Sequence, residues 1–186
     1  MRKTITGQVF LIICCIFYLI WWYRGYRPGV MVKRVGGING ILLLITAALG
    51  VAGVIFSLQG LSMTGVPKIN PYIIAVGGIA FYIAALLITK LLFHRIVTTE
   101  LFLIVGWTML EITVINRLNA AGILSDGNFT LMGVVITAAC IISLILYVAY
   151  YQMEEMKAFY AAMIPLITEA AAMATLVGII LSGGTR

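Results

Sequence analysis

Ile38-Asn-Gly-Ile-Leu-Leu-Leu-Ile-Thr-Ala-Ala-Leu-Gly-Val-Ala-Gly-Val-Ile-Phe-Ser-Leu58 is a stretch of 21 residues without a charged side chain. A hydrocarbon core about 30 Å thick is crossed by a helix of about 20 such residues. Five further stretches fall within the spanning range of about 17–25 residues: Gly7–Tyr23, Pro71–Phe93, Thr98–Leu118, Phe129–Tyr151 and Ala158–Leu181. The expected fold is therefore an all-α integral membrane protein of about six transmembrane helices, a single domain over residues 1–186.

Composition agrees. Hydrophobic residues make up 63% of the 186-residue chain and charged residues 10%, with a mean hydropathy of +1.14. Soluble domains carry about 25% charged residues to cover their surface, so a water-facing globule is excluded. The net charge of +6 comes from basic residues placed singly or in small clusters beside the apolar runs, which points to topology signals and lipid headgroups and not to nucleic acid. Cys14, Cys15 and Cys140 fall inside apolar runs, and the chain has one histidine, so neither a metal site nor a cofactor is expected.

The first apolar run follows Arg2 and Lys3 as a secretory signal would, but it ends in Trp21-Trp22-Tyr23 with no small-residue cleavage site. It reads as a retained helix with an interfacial aromatic belt. The densest basic cluster, Arg24, Arg27, Lys33 and Arg34, follows this helix. The positive-inside rule then places that loop in the cytoplasm and both termini outside, in a multi-pass cell-membrane protein.

Halves 1–92 and 93–186 can be superposed at an offset of about 92 residues. Thr6, Phe10, Leu11 and Ile12 then meet Thr98, Phe102, Leu103 and Ile104, and Gln8 meets Glu100. Ile45–Ala48 is identical to Ile136–Ala139. Two three-helix repeats would have inverted topology, an arrangement found in secondary transporters whose site lies between the repeats; apolar strings also match by chance.

Glu111 lies mid-way along the fourth span and Glu169 mid-way along the sixth. A carboxyl at bilayer depth costs a few kcal/mol unless it is protonated, paired or turned into the bundle, so each is a candidate site for a proton or ligand. Glu100, Trp107 and Glu111 share one helical stripe, and two carboxylates with an indole between them suit a cationic or proton-coupled ligand. A bland alternative pairs Glu100 with His94 or Arg95. Pro165, four residues before Glu169, predicts a bend in the sixth helix. Gly36, Gly40, Gly50 and Gly53, with Gly77 and Gly78, read as seams of close helix packing.

No HExxH, GxSxG or P-loop pattern occurs and Asp126 is the lone aspartate, which argues against an enzyme. The leading expectation is a small transporter or permease for a small solute, proton-coupled through the intramembrane glutamates. It would work alone, as a homodimer or with partner transport subunits, in contact with membrane lipid. The alternatives are a substrate-binding subunit of a multi-component importer, or a lipid-binding or assembly protein.

Overall fold

A computed structural model describes residues 2–29, 36–59, 65–93 and 99–182, with the side chains of residues 92, 93 and 99 outside that description. Among the described residues seven helices follow one another: α1 (Arg2–Tyr26), α2 (Gly37–Gln59), α3 (Pro71–Phe93), α4 (Thr99–Ala120), α5 (Asp126–Tyr150), the short α6 (Glu155–Ala161) and α7 (Ile164–Leu181). No strand occurs among the described residues. With α6 and α7 taken as one span, six helices are long and apolar enough to cross a membrane. This is the build of a multi-pass membrane protein.

Their outer faces carry large apolar side chains. Leu44 is 71% exposed, Tyr72 80% and Leu91 73%. A water-soluble monomer rarely presents apolar patches on this scale, whereas lipid tails cover them without cost.

The helix limits follow local chemistry. Helix α1 starts at Arg2, five residues before the apolar run, because Thr4 and Gln8 point into the bundle and are fully buried. Helix α5 takes in Asp126, Gly127 and Asn128, ahead of the apolar stretch that begins at Phe129. The Ser125 hydroxyl caps it by accepting from the Asn128 backbone N–H at 3.3 Å, and Asp126 sits in the electropositive first turn. The sixth span is broken and not only bent. Helix α6 ends at Ala161, and Pro165 falls in the first turn of α7, where a missing N–H breaks no helical bond.

Six crossings bring the start of α1, the end of α7 and the α4–α5 turn to one end of the bundle. That end is solidly packed. Val114, Ile115 and Leu118 of α4 meet Leu124 of the α4–α5 turn, Met132 and Ile136 of α5, and Leu176 and Ile180 of α7. The segment before α3 is tied down across it. Asn116 is buried, accepts from the Ile69 N–H at 3.0 Å and donates to the Ile69 carbonyl at 2.7 Å. Lys68 forms an ion pair with Asp126 at 2.6 Å. At the other end a smaller cluster, Leu101, Ile104, Val105 and Tyr147, is flanked by Tyr82 and Leu86 of α3.

The most intimate helix pair is α1 with α2. A Cβ added to Gly7 would collide with the backbone nitrogen of Ser57, and one added to Gly53 would collide with Leu11. Gly78 fits closely against Met109. The expected seam at Gly36 and Gly40 is not seen among the described residues, none of which lies within 4 Å of a Cβ built at either, nor at Gly77. Gly36, with φ of 117°, serves the turn into α2 instead.

Candidate functional site

Two polar features interrupt the apolar interior. One is a closed hydrogen-bonded seam, the other an open cavity.

The seam joins α1, α2 and α4. Glu111 is 1% exposed, and its Oε1 accepts from Gln8 Nε2 at 2.9 Å. The same amide nitrogen lies 3.4 Å from Ser57 Oγ, so the two amide hydrogens of Gln8 serve two neighbouring helices. Gly7 and Gly53 bring α1 and α2 near enough for this. Gln8 Oε1, Thr4 Oγ1 and the Trp107 indole N–H are buried without a hydrogen-bond partner among the described residues. Trp107 packs its ring against the large core cluster at the tightly packed end.

The cavity lies at the opposite end and encloses about 130 Å³. Aromatic rings from two helices dominate its wall: Tyr18 and Trp22 of α1, Tyr147 and Tyr150 of α5, with Tyr151 just beyond. Two carboxyls also line it, Glu100 of α4 and Glu169 of α7. Among the described residues no lysine, arginine or histidine lines it. Pro165 completes the wall at the start of α7, where the helix break sets Ala161 and Ala162 at the cavity instead of a continuous helical turn. The Trp22 indole donates to the Phe159 carbonyl at 3.2 Å and its ring stacks on Phe159, which anchors α6 to α1 beside the opening.

Depth separates the two carboxyls. Glu100 is exposed and is the second residue of α4, so it stands at the rim. Glu169 is 7% exposed, and Ser143 Oγ lies 3.5 Å from its Oε1. Ser143 is seven residues from the end of α5, which puts Glu169 about 10 Å below the rim.

The structure thus gathers Glu100, Glu169 and Pro165 at one cavity and leaves Glu111 and Trp107 outside it. Glu100, Trp107 and Glu111 do share a stripe of α4, but the eleven residues between the two carboxyls correspond to about 16 Å along the axis. They serve different levels of the bundle. The suggested pairing of Glu100 with His94 or Arg95 falls on residues outside the described ones. Sequence reasoning missed Gln8 as the partner of Glu111, Ser57 as the second acceptor from Gln8, and the five rings of the cavity. The signal was present in the four-residue spacing of Tyr18 with Trp22 and of Tyr147 with Tyr151, which puts each pair on one helix face.

Comparison with protein-family models, with curated proteins and with solved structures finds no match to the chain.

Proposed function

We propose that the protein is a small membrane transport protein whose solute occupies the cavity between α1, α4, α5 and α7, with Glu169 as the ligand- or proton-binding group. The observation that carries this reading is a carboxyl buried at the inner wall of a cavity that opens at one end of the bundle. Ionisable groups at such positions mark ion and substrate pathways in membrane proteins, and broken helices such as α6–α7 commonly frame them. Glu111, held by Gln8 beyond the cavity, is the second protonatable position along the same bundle.

The inverted-repeat reading belongs to this proposal. Exchange of α1 with α4, α2 with α5 and α3 with α7 maps the α1–α2 packing onto α4–α5 and the α1–α7 packing onto α3–α4. The α5–α7 packing has no comparable α2–α3 counterpart. Placement of both chain ends outside, from the basic cluster at Arg24–Arg34, opens the cavity to the cytoplasm.

Uptake into proteoliposomes of a panel of cationic, neutral and anionic solutes, with and without an imposed pH gradient, tests the proposal. Solute should accumulate with the gradient, and Glu169→Gln should abolish that dependence. Identical pH dependence in the parent, Glu169→Gln and Glu111→Gln would remove proton coupling, and no uptake of any solute would remove transport.

A second reading has its own support. The end opposite the cavity is closed by the Asn116–Ile69 bonds and the core of Val114, Leu118, Met132 and Leu176. A site reachable from one end suits a substrate-binding subunit that needs partner proteins to expose its site to the other side of the membrane. Ligand that co-purifies with a protein unable to transport alone would favour this reading.

A further inference from the structure

We infer that the cavity binds a small organic ammonium ion, held over the rings of Tyr18, Trp22, Tyr147 and Tyr150 and neutralised by Glu169; the inference rests on the proposal that this cavity is the solute site.

The wall selects for charge sign. Among the described residues two carboxyls and no basic side chain line the cavity, so an anion would meet their repulsion there. The wall also selects for the kind of cation. A metal ion requires several oxygen, nitrogen or sulfur ligands converging on one point, and no group of three His, Cys, Asp or Glu side chains gathers among the described residues. The remaining wall is apolar and aromatic, with Leu103, Ile104 and Leu146 beside the rings. Such a surface pairs poorly with a tightly hydrated ion. It pairs well with a cation whose charge is covered by carbon, because ring faces attract such charges while the methyl groups lose little hydration.

Volume sets the scale. An apolar cavity of about 150 Å³ admits a benzene molecule, so 130 Å³ corresponds to a ligand of roughly five to seven heavy atoms. Choline and tetramethylammonium lie in that range.

The two carboxyls have separate parts. Glu100 at the rim attracts cations toward the opening, an effect that weakens as salt rises. Glu169, buried 10 Å below by the helical estimate, makes the close pairing that distinguishes a cation from its neutral shape-mimic.

The protein in lipid nanodiscs is titrated with choline and with 3,3-dimethylbutan-1-ol, a neutral molecule of nearly the same shape, and with tetramethylammonium against tert-butanol. At least one ammonium ion should bind roughly tenfold or more tightly than its neutral counterpart. Glu169→Gln should reduce that preference to about twofold or less. Glu100→Gln, at an exposed position that leaves the fold intact, should slow ammonium association at low salt and leave the neutral compounds unaffected. Equal binding of the ammonium ions and their neutral counterparts to the parent protein, or absence of ammonium binding, overturns the inference. The transport proposal stands or falls separately on the solute panel, since uptake of a neutral or anionic solute would retain it while this inference is lost.

Discussion

The Gln8–Glu111 pair shows how one buried contact divides into distinguishable energies. Loss of Gln8 leaves a carboxyl at 1% exposure without its donor, and a stranded buried polar group costs about 1–3 kcal/mol. Loss of the charge alone costs less. Glu111→Gln still offers an oxygen to Gln8, and hydrogen bonds between membrane helices average only about 0.6 kcal/mol because the separated helices find other partners. Thermal unfolding in detergent should therefore rank Gln8→Leu below Glu111→Gln. The double variant Gln8→Leu with Glu111→Leu should recover part of the loss, since an apolar pair leaves nothing stranded. An order in which Glu111→Gln is the more damaging would mean that the charged carboxylate itself holds the seam. Glu111 stood out in the sequence because acidic residues are rare inside apolar runs. Its partner did not, because a glutamine near the start of a helix looks like one at a membrane surface until the neighbouring helices are in place.

At the scale of helices, close approach is concentrated where glycine is enclosed and not wherever glycine occurs. Gly53→Ile should separate α1 from α2, since even a Cβ there meets Leu11 within 3 Å. The seam bonds from Gln8 to Ser57 and Glu111 would be lost with it. Gly77→Ala meets nothing within 4 Å and should be neutral or mildly stabilising, by about 1 kcal/mol or less, through its effect on helix propensity. Melting temperatures of the two variants decide the matter; equal losses would show that Gly77 faces a helix surface after all. The six spans were readable almost to their ends, because length and hydropathy are local properties. The break between α6 and α7 was announced by Pro165, although proline alone does not say whether a helix bends or stops. Which glycines form seams was unreadable, because that depends on which helix faces meet: Gly36 and Gly40 have the spacing of a seam and lie on an open face.

For the molecule as a whole, the two ends differ in packing. A cysteine at the cavity wall should be reachable from water, and one in the closed core should not. In a background with Cys14, Cys15 and Cys140 replaced by alanine, Ala162→Cys should react with a small charged methanethiosulfonate much faster than Ile136→Cys, which lies in a 0% exposed position. Ratios near one would mean that the closed end opens as readily as the cavity does. This polarity was not legible in the sequence. The aromatic residues at the end of α1 read as an interfacial belt, and their convergence with the tyrosines of α5 on one cavity depends on α1 lying against α7 and α7 against α5. Glu111 and Glu169 looked like two members of one pathway. The structure assigns them to two levels, one sealed in a seam and one at the bottom of an opening.

The α1–α2 seam has a consequence in the order of synthesis. Gly7, Leu11, Gly53 and Ser57 all lie within the first 59 residues, so the hairpin of α1 and α2 can close while the rest of the chain is still on the ribosome. Gln8 is then already oriented by Ser57, with one donor left over in the lipid until residue 111 has been made and inserted. The newborn hairpin thus carries an unmet polar demand that α4 answers, and this favours docking of α4 with Glu111 turned inward over any rotation that points it at lipid.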